Sequence, residues 1–327
     1  MALLWGGRSL SWIGVTYSTS ACAVPCRSVI LSIPRPRIVE ALEFCREAVR
    51  CKALPISSLR SGAGKCQSIA NIIPTLRPFC SYLWGALSNQ APAFFVPGAK
   101  TSKRRHVSHW VNTTQARHGL KWLLRFFSGR EGPITRAYRH LIPESDWLVI
   151  SVDASPWGLG GVLMANGTPV AWFADWLHNE DVTILAARRA DPAFQTAWEA
   201  LAILVAVRLW LSPLHDGVRV EIRSDSFSAM SASIRGASRS PTVRRILCEL
   251  ALDDAELVGS VNLFTHIPGV SNKWPDALSR LYSPEATLVP PQLQQVPRTQ
   301  VPVRTILSFW RSLQCVSGES EGGRNKK

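Results

Sequence analysis

Between residues 147 and 282, four carboxylates interrupt apolar or small-residue stretches, where an ionised side chain is costly unless something positive binds it. Asp153 ends the run Trp147-Leu-Val-Ile-Ser-Val. Glu199 is the only charge between Asp191 and Arg208. Asp225 follows the alternating segment Val218-Arg-Val-Glu-Ile-Arg-Ser, and Asp276 lies in Lys273-Trp-Pro-Asp-Ala-Leu-Ser-Arg. A fold that accepts this sequence must bring those charges to a common place or leave each one exposed.

The surrounding rhythm predicts how. Residues 147–153, 158–165 and 168–174 read as three strands, with Asn166-Gly167 as a two-residue hairpin turn. A helix capped by Asp191, with Pro192 in its first turn, runs to about Trp210. A strand at 218–224, a helix over 226–234, a helix from Ser240-Pro241 to Glu256, a strand at 261–266 and a helix over 274–281 complete the segment. This order describes an α/β fold, a mixed sheet with flanking helices. Parallel pairing of 147–153 with 218–224 sets Asp153 and Asp225 side by side at the strand ends. The connecting helix carries Glu199 toward them, and the last helix returns Asp276 to the same edge.

Four ionised carboxylates in one small volume repel, and hard divalent cations relieve that repulsion. Two such ions can activate a water and stabilise a leaving oxygen, which suits phosphodiester hydrolysis. His266, at the end of the last strand, adds an imidazole suited to proton transfer. Each residue alone has a plainer reading: Asp153 and Asp225 as turn residues, Glu199 on an exposed helix face, Asp276 at a helix N-terminus, His266 as structural. Their joint order and spacing favour the site.

Charge distribution separates the chain further. Residues 1–145 carry a net +15, residues 146–282 a net −4 and residues 283–327 a net +3. A basic front joined to a mildly acidic domain fits a polyanion grip beside a cation-binding centre. The front half reads as short β segments over 1–34, including strands over 11–17 and 28–33. A mainly helical region over 35–145 follows, with helices over 37–49, 57–73, 76–87 and 113–127 and a basic cluster at 100–105. Residues 283–327, with five prolines and few apolar clusters, read as a flexible tail. The eight cysteines form no paired CxxC motifs and read as free thiols in a reducing compartment. No run of 18 apolar residues and no signal peptide is expected, which points to an intracellular protein, cytoplasmic or nuclear, with no membrane partner.

At Asp153-Ala-Ser-Pro-Trp-Gly-Leu-Gly-Gly-Val-Leu, Trp198-Glu-Ala-Leu, Ser224-Asp-Ser and His266-Ile-Pro-Gly-Val-Ser-Asn-Lys-Trp-Pro-Asp-Ala-Leu-Ser-Arg, the chain resembles the ribonuclease H domain of retrotransposon (gypsy-like or DIRS-like) reverse transcriptase polyproteins. The likeness covers roughly 146–282. It implies a five-stranded ribonuclease H-like mixed sheet and an endoribonuclease that cleaves the RNA strand of RNA–DNA hybrids. It also implies Asp153, Glu199, Asp225 and Asp276 as ligands to two Mg²⁺ ions (Mn²⁺ an alternative), with His266 assisting. Upstream, Trp12-Ile-Gly-Val is similar to the end of a polymerase palm. Leu59-Arg-Ser-Gly-Ala-Gly-Lys with Arg77-Pro-Phe-Cys-Ser-Tyr-Leu resembles a thumb, and Gly119-Leu-Lys-Trp-Leu-Leu-Arg-Phe-Phe a connecting helix.

There are departures. No Tyr-x-Asp-Asp motif occurs, so the chain is expected to begin after a polymerase active site and not to synthesise DNA; a separate polymerase subunit or other element-encoded proteins would be partners. Pro275 stands where Ala is commoner, Ser226 where Asn is frequent, and the segment His178–Asp191 is longer than expected. The competing readings are a non-catalytic nucleic-acid-binding remnant and, with less in its favour, an integrase or transposase of the same fold.

Overall fold

A computed structural model describes residues 9–12, 14–19, 28–88, 109–139, 147–211, 219–256, 261–306 and 308–317. The chain divides into two compact units, residues 1–23 with 28–136, and residues 24–27 with 137–327. The basic cluster at 100–105, Cys22 and Cys26 lie outside the described residues.

The first unit begins with strands β1 (Ser9–Trp12), β2 (Val15–Thr19) and β3 (Ser28–Ser32), paired antiparallel in order. A single strand over 11–17 was expected. Instead Trp12 pairs with Val15 and the chain reverses between them, with Gly14 at φ 73°, a value that costs glycine least. Helices α1 (Arg35–Arg50), α2 (Ile56–Ala70), α3 (Arg77–Ser88) and α4 (Arg117–Phe127) pack beside a short pair, β4 (Ala53–Pro55) and β5 (Trp110–Asn112). Their core is Leu59, Phe79, Leu83, Leu120 and Leu123, with Phe79 centred 5.5 Å from both Trp122 and Phe126. Arg37 ties the hairpin to the helices, donating to the Gly14 carbonyl at 2.6 Å and to Ser68 Oγ at 2.8 Å. The β segments over 1–34 therefore do not form a separate domain; they share one unit with the helices. Strand β6 (Thr135–Arg139) spans the division between units.

In the second unit the sheet has the expected five strands: β7 (Trp147–Ala154), β8 (Gly158–Ala165), β9 (Thr168–Trp176), β10 (Arg219–Ser224) and β11 (Val261–His266). Their order across the sheet is β11-β10-β7-β8-β9. The β7–β8–β9 meander is antiparallel, whereas β10 runs parallel to both β7 and β11. Asn166 and Gly167 turn the β8–β9 hairpin with φ 52° and 80°, the positive pair that such a turn requires. Residues 178–191 contain a short helix, α5 (Asn179–Leu185), that the sequence did not signal.

One sheet face is covered by α6 (Gln195–Trp210), flanked by α7 (Phe227–Arg235) and α8 (Pro241–Glu256). Ile150, Val152, Phe173, Ile222, Trp198, Leu201 and Val205 form this core. The stretch Pro192–Trp210 is long and apolar enough to cross a membrane, although it was not expected to be; here its apolar surface is largely buried in the core. The opposite face carries α9 (Lys273–Ser279) on Val162, Trp172 and Ala174. Pro275 falls in the first turn of α9, where its missing N–H would have had no helical partner.

Residues 283–317 overturn the expectation of a flexible tail. Thr299 donates to the Trp172 carbonyl at 2.7 Å and Trp172 to the Pro297 carbonyl at 3.1 Å, so the segment runs beside the free edge of β9. Arg304 is fully buried: Nη2 lies 2.7 Å from Asp181 Oδ2 and donates to the Trp176 carbonyl at 3.0 Å, and Nη1 pairs with Asp175. Trp310 is also fully buried, and α10 (Arg311–Ser317) starts on α8, with the amides of Arg311 and Ser312 donating to Glu249 at 3.0 and 2.7 Å. Arg208 of α6 joins Glu249 and Asp253 at 2.9 and 2.7 Å. The segment's prolines replaced helix signals, and no local pattern indicates which distant acids its arginines meet.

Removing one partner of a buried ion pair leaves an uncompensated charge. Arg304→Ala should therefore lower the stability of the full chain by about 3–5 kcal/mol in urea unfolding. A loss below about 1 kcal/mol, the value of an exposed pair, would mean that the segment is not held as described.

Candidate active site

The site lies where β7 and β10 end. Parallel pairing aligns Ile222 with Ile150 and Arg223 with Ser151, so Asp153 and Asp225 leave the sheet together. Glu199 approaches from α6 on one face. Carboxylate oxygens of Asp153, Glu199 and Asp225 all lie within 4.8 Å of one another. Asp153 and Glu199 are buried, and Asp225 is partly so.

Helix α9 arrives from the other face because β8 has no side chains in its way. A Cβ at Gly160 would sit 2.5 Å from the Pro275 carbonyl and 2.6 Å from Ser279 N; one at Gly158 would sit 2.8 Å from the Ser279 carbonyl. Bulk at either position would lift the helix. The close approach lets Ser279 Oγ donate to Asp153 Oδ2 at 2.7 Å, and Ser155 Oγ donates to the Ser279 carbonyl at 2.6 Å. Asn272, fully buried before α9, donates to the Val152 carbonyl at 3.0 Å and to Asp225 Oδ1 at 3.4 Å. Gln195, one turn before Glu199, donates to Glu199 Oε1 at 2.9 Å and to the Ala154 carbonyl at 2.5 Å.

Asp276 stands apart from the group of three. Its Oδ1 is 2.7 Å from Arg280 Nη2 and 2.8 Å from Nε, an i,i+4 pair whose side chains are 43% and 53% exposed. His266 is exposed; its Nε2 donates to the Asp225 carbonyl at 3.0 Å, since a carbonyl can only accept. Of the five residues singled out in the sequence, the structure brings Asp153, Glu199 and Asp225 within 4.8 Å of one another, sets His266 against the Asp225 carbonyl and leaves Asp276 paired with Arg280. Sequence reasoning missed Gln195, Asn272 and Ser279 as the groups that orient the acids. Asn272 and Ser279 lay within quoted motifs; Gln195 had only its i−4 spacing from Glu199 as a signal.

Burial pushes the Asp153 carboxyl up to about 7; Asp225 and Asp276 add to the rise, while the Ser279 hydroxyl and Arg280 oppose it. Burial likewise holds Glu199 well above the ordinary carboxylate range, reinforced by the charges on Asp153 and Asp225 and opposed by the Gln195 amide. Glu199 Oε2 is buried with no hydrogen-bond partner among the described residues. Three crowded carboxylates, one with an unpartnered buried oxygen, form an oxygen donor set that fits a hard divalent cation.

No protein-family model matches the chain, and no curated protein matches it. Among solved structures, one similar to this chain is RNase H1 from the halophilic archaeon Halobacterium salinarum NRC-1, at 19% identity, covering 43% of this chain and 99% of that one, with a TM-score of 0.33. LC11-RNase H1 in complex with an RNA/DNA hybrid is similar at 18% identity over 40% of this chain and 92% of that one, with a TM-score of 0.31. The foamy viral protease-reverse transcriptase dRH in complex with double-stranded DNA is similar at 15% identity over 79% of this chain and 38% of that one, with a TM-score of 0.24.

Because folding raises the Asp153 pKa, the ion-free chain binds more protons folded than unfolded between about pH 4 and 7. Its stability should therefore fall as pH rises across that window and level off above it. Asp153→Asn should flatten the fall and stabilise the ion-free chain by roughly 2–4 kcal/mol at neutral pH. Urea unfolding in chelator at several pH values tests this; a wild-type stability that rises from pH 4 to 7 would contradict it.

Proposed function

We propose that this chain is a divalent-metal-dependent endonuclease of the ribonuclease H type, hydrolysing the RNA strand of RNA–DNA hybrids, and that it derives from a retroelement reverse transcriptase. The observation that carries the reading is the cluster of Asp153, Glu199 and Asp225, within 4.8 Å, with an unpartnered buried Glu199 oxygen. The strand order, with a parallel β7–β10 pair delivering two acids to one end, supports it. So do the motifs around Asp153, Glu199, Asp225 and Asp276, which resemble that family's.

Asp153, Glu199 and Asp225 would hold the first cation, and Asp276 would complete the donors for a second, Mg²⁺ or Mn²⁺. Bound there, two divalent ions supply an activated water and charge stabilisation for the leaving oxygen. The protein's own groups do the positioning. Ser279, Gln195 and Asn272 fix the directions in which the three carboxylates point, as partners behind a ligand commonly do. His266, anchored by its Nε2–H on the Asp225 backbone carbonyl, would carry a proton toward the leaving group through its other ring nitrogen. Hybrid recognition would use backbone and 2′-hydroxyl contacts rather than base reading. The net +15 of residues 1–145 would add a salt-sensitive grip on the phosphates.

That basic front half also favours the competing reading, a nucleic-acid-binding remnant without catalysis. A labelled hybrid separates the two. The nuclease reading expects Mg²⁺-dependent cutting confined to the RNA strand, and Asp225→Asn should abolish it, by about 100-fold or more, while hybrid retention persists. Salt-sensitive retention without cutting by the unaltered chain would favour the remnant.

A further inference from the structure

Arg280 caps the C-terminus of α9 and meets Asp276 from one turn away, at 2.7 and 2.8 Å. That contact is unlike the others around the site. Ser279, Gln195 and Asn272 give the other acids neutral hydrogen-bond donors, which leave the negative charge for an ion. Arg280 supplies a full positive charge, and it cannot shed it, because a guanidinium stays protonated at any pH the protein experiences. Its charge also reaches Asp153, which it helps to keep ionised against burial. Asp276 is correspondingly outside the group of three carboxylates whose oxygens lie within 4.8 Å.

We propose that Arg280 is a resident cation at the fourth carboxylate: it holds Asp276 back from the other three, and a second divalent ion engages Asp276 only by displacing the guanidinium. This rests on the divalent-ion reading of the site. The first ion meets no such competitor, since no positive side chain pairs with Asp153, Glu199 or Asp225 among the described contacts. Displacement is feasible for two reasons. The pair is half exposed, and exposed i,i+4 pairs are weak. Arg280 also follows the final helical residue, so its side chain swings without breaking a turn. Once displaced, the guanidinium lies at the mouth of the site as a free positive charge suited to a phosphate. Loading of the second ion and capture of an anionic strand are thereby coupled. Arg280 is a positioning residue in this scheme, acting through Asp276.

Titration calorimetry of the full chain with Mn²⁺ tests the proposal without reference to activity. The wild type should show a tighter and a weaker step. Arg280→Gln should tighten the weaker step by about 3- to 10-fold, the scale of one removed neighbouring charge, and shift the tighter step by a smaller factor, since the same charge reaches Asp153 only at longer range. Arg280→Lys, which keeps the charge, should stay near the wild type, and Asp276→Asn should remove the weaker step in either background. Two-step binding that Arg280→Gln leaves unaltered, or both steps tightened equally, would overturn the role of Arg280 alone. A wild-type chain that binds no Mn²⁺ would overturn the ion-binding reading and this inference with it.

Discussion

Mutual repulsion among buried carboxylates is the constraint from which the second unit of this molecule is built. Asp153 and Glu199 are almost inaccessible, and both are pushed toward protonation, first by burial, then Asp153 by the charges of Asp225 and Asp276 and Glu199 by those of Asp153 and Asp225. A fold selected only for stability would replace them, since well-packed apolar side chains are usually at least as favourable as buried charge. Their retention in a tight group shifts the cost onto whatever binds there. The rest of the unit serves to keep them close: a parallel strand pair sets the Asp153–Asp225 spacing, α6 brings Glu199 in from one face, and α9 closes the other.

The closure depends on what β8 lacks. Gly158 and Gly160 let α9 lie directly on the strand, and that contact converts a surface helix into a clamp that orients Asp153 through Ser279. The neighbouring Asn272 performs the equivalent task for Asp225 while tying α9 to β7 through the Val152 carbonyl. Gly158 and Gly160 therefore shape the site as much as the acids do.

Much of this was legible in the sequence, and the reasons are local. Period-2 alternation, the Asn166-Gly167 turn and the Asp191-Pro192 start reported on neighbouring residues, and strand or helix bounds followed within a few positions. The gathering of the acids was legible because strand ends and helix starts have fixed places in an α/β sheet. Other features were hidden because they depend on partners far away in sequence. Nothing near Arg304 indicates that it meets Asp181 across 123 residues, and nothing near Ser279 marks it as the partner of Asp153. The separation of Asp276 from the other three was hidden too, since Arg280 four residues on reads equally well as a solvated helix charge.

The packed C-terminal segment changes what counts as the structural unit. The motif-bearing stretch ends near residue 282, yet the acids Asp181, Glu249 and Asp253 behind it are buried or nearly so and find their positive partners in Arg304, Arg311 and Arg208. Two of those three arginines belong to the segment. Deprived of it, Asp181 of α5 would face an apolar core without its guanidinium, Glu249 and Asp253 of α8 would be left with Arg208 alone, and the edge of β9 would be open for pairing. The ionic layer on the outside of the sheet and the acidic group at its end thus follow one rule with opposite outcomes. Where the chain buries its own guanidinium with them, the acids are structural; where it leaves them without one, at Asp153, Glu199 and Asp225, they are available to a cation from outside.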